Sequence, residues 1–456
     1  MPFAEEGERG VKADGSAEIR PRPATNIEKE FDDDASETNN AQFSQRTLPP
    51  AQPQYILRGH ASQIHAVAFL RRHSRLLTGD ADGWVVVWNL ATRRPVAVWR
   101  AHDGPILKLM EWTSNRIITH GRDSTLRVWQ LRPTDESACC KILPIDDSTS
   151  SRTPPTILHS LSVNTLNFCG FAFLREWHNV FSYGDIASGA INFANSVYVA
   201  VPSSKESSID IYRLPTERVL STCPPPRLPS RSNASTSIAV TGIGMVMAIE
   251  LLYYPSSRRL LLIAGYESGY VCMHELNPHS RTWSQVYLSQ PHSEPILSLC
   301  VAPKTGFFYT SSADDIIAQH PLPTASPTAS LSVATTAPKK IIHTKHSGQQ
   351  SLTIRDDEQI LATAGWDNRV RVYATKSLQE LAVLKWHKEG CYAVAFAETL
   401  PTPSASSNAA ANESENSNDK AGNVITASAR REAKTQATHW VAAGSKDGKV
   451  SLWEIY

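Results

Sequence analysis

No Cys-x-x-Cys pair occurs in this 456-residue chain, and its seven cysteines are an odd number. Both facts fit a reduced intracellular protein better than a disulfide-stapled secreted one. An excess of one charge is missing too. Forty-five Lys+Arg against 44 Asp+Glu leave a net charge of +1, which argues against a broad basic face gripping nucleic-acid phosphates. The amino terminus, MPFAEEGERGVKADG, has no apolar h-region, so no signal peptide is expected. One run, SNASTSIAVTGIGMVMAI at 232–249, carries no charge across 18 positions, but Ser, Asn and Thr fill its first half and Glu250 follows directly. Its apolar part is too short to span a bilayer. It reads as a buried strand ahead of a second one, LLLIAG at 260–265, in a soluble protein.

Catalytic signatures are lacking as well. There is no GxxxxGK[ST], HExxH or GxSxG, and Gly242-Ile-Gly244 lacks the third glycine of a dinucleotide turn. His343-Thr-Lys-His346 has a metal-like spacing, but His346 already fits a repeat described below. Arg71-Arg72, Lys339-Lys340 and Arg430-Arg431 are isolated pairs that read as solvated loop charges. No catalytic residue, metal or cofactor is therefore expected.

What is present is 41 % hydrophobic residues, enough for a core, alongside 11 tryptophans. Residues 1–50 hold 6 Lys/Arg and 11 Asp/Glu, including EKEFDDDASETNN, and read as a disordered arm, or alternatively as an acidic docking tail. Residues 51–456 form the folded domain, interrupted by Ser-, Pro-, Ala- and Asn-rich inserts near 132–156, 222–237, 321–340 and 400–437. The sequons at Asn233 and Asn412 fall in these inserts and read as chance matches.

Between the inserts one pattern recurs: LLTGDADGWVVVWNL (76–90), IITHGRDSTLRVWQL (117–131), LATAGWDNRVRVYA (361–374) and VAAGSKDGKVSLWEI (441–455). Each is a strand, a tight turn at Asp-Gly, Asp-Ser or Asp-Asn, and an alternating strand ending in an aromatic. These are strong hairpin signals. A His precedes each unit. His60 lies 22 before Asp82, and both His102–Asp123 and His346–Asp367 span 21. From Asp to aromatic the interval is always six: Asp82–Trp88, Asp123–Trp129, Asp367–Tyr373 and Asp447–Trp453.

This arrangement resembles the WD-repeat family, whose fold is a β-propeller of four-stranded blades. The resemblance implies buried hydrogen-bonded tetrads of His, Ser/Thr, Asp and aromatic. The residue types suit that role. Indole can only donate, a hydroxyl relays, imidazole does either and the carboxylate accepts. The matching sets are His60, Thr78, Asp82 and Trp88; His102, Thr119, Asp123 and Trp129; His346, Thr363, Asp367 and Tyr373; and His387, Asp447 and Trp453, where Ala443 has no hydroxyl to relay. Read as function, such sets would be hydrolytic triads. Recurrence at a fixed phase favours scaffolding. Degenerate units at 205–214 (Glu206, Tyr212), 267–276 (Ser268, His274) and 311–322 (His292, Thr310, Asp314, His320) bring the count to seven. The expected fold is thus all-β: a seven-bladed WD-repeat propeller with a disordered amino-terminal arm and long inter-strand inserts. Pairing of about 54–57 with 450–456 closes the ring.

PPAQPQYILRGHASQIHAVAFL, AVWRAHDGPILKLMEW and the hairpins above, with HSLSVNTLNFCGFAF and THWVAAGSKDGKVSLWEIY, are similar to the fungal ASTRA-associated protein 1 family. That resemblance implies a non-enzymatic subunit of the ASTRA complex, acting in chromatin regulation and in maturation of phosphatidylinositol-3-kinase-related kinases. It implies protein partners, namely a pseudokinase cofactor, AAA+ ATPases and a kinase co-chaperone, and a nuclear location with or without a cytoplasmic pool. No direct nucleic-acid or membrane contact is expected. Two alternatives remain: a substrate receptor of a cullin-type ubiquitin ligase, and a propeller enzyme with a metal in its channel.

Overall fold

A computed structural model describes residues 51–147, 152–164, 169–176, 196–228, 242–254, 259–323, 337–400 and 426–455. The expected amino-terminal arm, both sequons and part of each insert lie outside these residues.

Alternation of apolar and polar residues between tight turns dictates strands, and 28 of them form seven four-stranded antiparallel sheets. Blades 1 to 6 are contiguous in sequence, spanning 64–100, 106–162, 172–223, 246–289, 296–343 and 349–385. Blade 7 joins Cys391–Phe396, Trp440–Ser445 and Lys449–Glu454 to Tyr55–Arg58 from the other end of the domain. The closing register is Tyr55↔Leu452 through Arg58↔Lys449. The molecule is a seven-bladed β-propeller.

Each sheet buries both faces, so the core is not one cluster but seven, one between every pair of neighbouring blades. The cluster that seals the ring packs Leu57, Trp440 and Val450 of blade 7 against Ile64, Trp84 and Trp88 of blade 1. The end of the uncharged 232–249 run begins strand Val246–Tyr253, and LLLIAG lies in strand Leu260–Tyr266, the first two of blade 4. Among the described residues no helix is long and apolar enough to cross a membrane.

Turn chemistry sets the blade-to-blade spacing. The hairpin between second and third strands needs a left-handed residue, supplied by Gly83, Ser124, Gly269, Asn368 and Gly448. At Gly83 a Cβ would lie 1.9 Å from the His102 carbonyl oxygen, because the next blade's His loop rests on this turn. A register shift recurs beside the marker position of the third strand, at Trp88, Trp129, Tyr212, His274 and Tyr373. The degenerate units therefore keep the same phase as the clear ones.

Two inserts hold more structure than their composition suggests. The 132–156 insert begins with a 3₁₀ turn, Pro133–Ser137, whose buried Glu136 is gripped by Arg71 and by Arg75 Nη2 at 2.8 Å. It then crosses the outer edge of blade 1, where Val98 N–H donates to the Cys140 carbonyl, and reaches Gly59, whose carbonyl accepts from Ile145 N–H, both at 2.9 Å. The end of the 400–437 insert is an α-helix, Ala427–Ala437, rather than irregular chain. Good helix formers fill it, and the Thr426 hydroxyl caps it by accepting from Ala429 N–H at 3.2 Å. The Trp440 indole N–H and His73 Nε2 hold its last turn through the Thr435 and Gln436 carbonyls.

Candidate functional site

The hydrogen-bonded sets stand where each blade's His loop meets its hairpin turn. In blade 2 the four expected residues join. Trp129 Nε1–H donates to Thr119 Oγ1 at 2.8 Å, Thr119 meets His102 Nε2 at 2.7 Å, and His102 Nδ1 meets Asp123 at 2.9 Å. Burial alone would push the Asp123 carboxyl up. The His102 hydrogen bond and charge outweigh it, helped by the Thr125 hydroxyl and Asp103 amide, and hold the group well below the usual carboxylate range.

Blade 1 corrects the expectation for Asp82. His60, Thr78 and Trp88 join as in blade 2, but His60 Nδ1 bonds Asp80 at 2.7 Å. Asp80 is the last residue of the second strand and fully buried, whereas Asp82 lies exposed on the turn. The other Asp80 oxygen accepts the Asp82 and Trp84 amides, so the Asp82 backbone is itself held by the Asp80 carboxylate.

Blade 7 lacks a hydroxyl at Ala443, yet the relay is complete. Ser451 stands directly opposite Ala443 in the ladder. Its hydroxyl accepts from Trp453 Nε1–H at 2.8 Å and meets His387 Nε2 at 2.9 Å, with His387 Nδ1 3.3 Å from Asp447. Blade 5 forms a set from His292, Thr310, Asp314 and His320, lengthened by the Tyr287 hydroxyl 2.7 Å from His320 Nδ1. Burial, aided by the His292 charge, pushes His320 down to about 3 and keeps it neutral. In blades 3 and 4 the marker residues join no comparable set among the described residues. Ser268 instead donates to the Ile243 carbonyl at 2.6 Å.

Blade 6 overturns the third expected set. His346 is exposed and lies 3.5 Å from Asp367, while Asp367 is taken by Arg371 at 2.6 Å. Thr363 is near enough to influence the Tyr373 phenol, but neither hydroxyl has a hydrogen-bond partner of acceptable geometry. The reason is a one-residue deficit. The first strand starts four positions after the His at His60–Ile64, His102–Ile106, His292–Ile296 and His387–Cys391, but only three after it at His346–Gln349. The imidazole therefore stops short of Thr363. Blade 2 shows the same 21-residue His-to-Asp interval for a different reason, a shorter turn between its first two strands.

The first strands of blades 1, 2, 4, 5, 6 and 7 line a central cavity of about 530 Å³. Lys108 reaches across it to Glu250 at 3.3 Å, and the His65 ring stands edge-on to Tyr392 at 5.7 Å. Desolvation holds His65 below its ordinary value despite the Asp80 charge. Among the described residues no group of three or more His, Cys, Asp or Glu is placed to hold a metal ion, and the seven cysteines are free thiols. The polar sets of blades 1, 2, 5 and 7 are thus buried where His loop and hairpin meet, their members hydrogen-bonded to one another. Among the exposed groups is Trp366, on the turn between the second and third strands of blade 6 and 47 % exposed.

Comparison with known proteins adds a family. The family model for ASTRA-associated protein 1 matches residues 53–453. A protein of that name from Verticillium alfalfae is 44 % identical over 415 residues, covering 91 % of this chain and 95 % of its own length. One from Penicillium rubens is 42 % identical, covering 89 % and 98 %. One from Schizosaccharomyces pombe is 32 % identical, covering 89 % and 99 %.

Proposed function

Since this chain belongs to the ASTRA-associated protein 1 family, we propose that it is a non-catalytic scaffold subunit of the ASTRA complex. In this reading the propeller recruits proteins on its exposed turns and contributes no chemistry of its own. One observation carries it: the conspicuous His, Asp and hydroxyl groups of blades 1, 2, 5 and 7 satisfy one another inside the blades. Groups so engaged have neither the access nor the free valence a substrate needs.

The partners we propose are the complex's pseudokinase cofactor, its AAA+ ATPases and its kinase co-chaperone. The proposed roles are chromatin regulation and maturation of phosphatidylinositol-3-kinase-related kinases, in the nucleus. A net charge of +1 supports protein contacts over direct contact with nucleic acid. The test is affinity purification of the tagged full chain at its native expression level, followed by mass spectrometry. Recovery of those subunits in constant proportion is the expected result. Recovery of ubiquitin-ligase adaptors without them would refute it in favour of a substrate receptor.

A further inference from the structure

Blade 6 departs from its neighbours in three ways that converge on one surface. Its His loop is a residue short, so no tetrad forms, and Gln349 Oε1, Thr363 Oγ1 and Tyr373 OH are buried without partners. Orphaned buried groups lower stability, and such departures from local rules are expected at functional sites. The turn residue three beyond the relay position is Ala81, Arg122, Ala313 or Lys446 in the other four blades with sets, but Trp366 here. The short loop also brings Gly348 beneath that tryptophan. Gly348 adopts φ +77°, and a Cβ on it would lie 2.1 Å from the Trp366 ring. Trp366 N–H donates to the Gly348 carbonyl at 3.0 Å, and its indole N–H donates to Gln350 Oε1 at 2.8 Å. The ring is half exposed and held by that indole hydrogen bond and by its packing on Gly348. A large rigid aromatic held on a surface is the usual form of a binding hot spot.

The ground around it is basic. Asn368 Nδ2–H donates to the Lys388 carbonyl at 3.4 Å, and Lys446 N–H donates to the Gly390 carbonyl at 2.9 Å. The turns of blades 6 and 7 therefore form one continuous band. Lys345, Lys388 and Lys446 are exposed on it, and none has an ion-pair partner among the described residues. The carboxylates of Asp367 and Asp447 are already engaged, the first by Arg371 at 2.6 Å and the second by His387 at 3.3 Å and Lys449 at 3.5 Å. Glu389 is exposed within the band, and Asp315, at its edge beside Thr344, has its carboxylate 3.3 Å from His343.

We propose that this band is a docking site for an acidic polypeptide segment that seats an apolar side chain on Trp366 and sets carboxylates against Lys345, Lys388 and Lys446. The proposal rests on the reading of the propeller as a recruiting scaffold and gives that scaffold a partner chemistry. Nucleic acid is the less suitable occupant. Three flexible lysines with a glutamate among them offer few phosphate contacts, and the Arg371 fork is tied to Asp367.

A randomised dodecapeptide phage library, selected on the full-length protein, tests it without any other subunit. The expected winners carry Asp or Glu flanking one apolar residue and bind less tightly as salt rises. Their affinity should fall at least tenfold on Trp366→Ala and on the double charge reversal Lys388→Glu/Lys446→Glu. It should be unchanged by Arg430→Glu/Arg431→Glu on the distant helix. The lysine reversals alter exposed side chains only, so they report on docking even where Trp366→Ala lowers the thermal midpoint. The proposal is overturned if no peptide is enriched, if the winners are indifferent to both surface variants, or if a 20-nucleotide single-stranded DNA displaces them and binds tightly itself. Such a failure would leave the co-purification result, and with it the scaffold reading, untouched.

Discussion

At the scale of single residues, two carboxylates two positions apart have opposite roles. Asp80 accepts from His60 and from the Asp82 and Trp84 amides in a site closed to water. Asp80→Ala should lower stability by roughly 3 kcal/mol, since it strands several buried donors. Asp82→Ala should change it by less than about 0.5 kcal/mol. Thermal and urea midpoints of the two variants check the assignment, and equal losses would reverse it. Blade 7 permits a sharper exchange. Ser451→Ala should cost about 2 kcal/mol by stranding His387 Nε2 and Trp453 Nε1, and Ala443→Thr in the same chain should restore most of it from the opposite strand. The six-residue interval to the aromatic pointed to Asp82 because spacing counts position along the chain. It says nothing of which carboxylate a strand buries. Ser451 was legible in principle: a hydroxyl two before the tryptophan faces Ala443 once the strand register is known. His346 was not legible from the 21-residue interval, because deficits in two different loops give the same total.

Among the elements, the hairpins were the most legible, since Asp-Gly turns with alternating strands leave little choice of structure. The inserts were the least, because composition reports what a segment cannot bury and not what it can hold on to. Glu136 is the case in point. A lone acid in a polar stretch becomes an anchor once Arg71 and Arg75 of blade 1 close on it. Glu136→Ala should therefore loosen the whole strap from 133 to 147. Hydrogen exchange should rise at Val98 and Ile145, whose amides donate along the strap and to Gly59 beside the closing strand. Exchange unchanged at both would show that the strap is held without the carboxylate. The helix Ala427–Ala437 depends in the same way on its last turn. With its first eight residues exposed, an 11-residue helix is marginal alone, and Trp440→Phe should increase exchange through the helix while the strands stay protected.

For the whole molecule, acid should weaken the ring in two stages. His120, His274 and His320 are neutral when folded because burial holds them down to about 3, 4 and 3. The unfolded chain binds those protons first, so stability should begin to fall below about pH 6.5. Burial pushes Asp123, Asp314 and Asp447 up, but hydrogen bonds and charge from their His partners leave them below their ordinary values. Their contribution is present above about pH 4 and is lost as pH falls through the lower folded values. His120→Met, which removes a ring with neither nitrogen bonded, should flatten the first stage in a urea-midpoint titration; an unchanged slope would assign that stage elsewhere. Ring closure by Tyr55–Arg58 likewise means that deleting 51–58 should lower the thermal midpoint far more than deleting 1–50. The most direct test of internal scaffolding with external recruitment is quantitative co-purification by the relay-exchanged chain, Ala443→Thr/Ser451→Ala. With its exterior unaltered, that chain should retain every partner in wild-type proportion. Loss of partners from a chain that keeps its near-ultraviolet circular dichroism and thermal midpoint would show that the buried sets act directly in function.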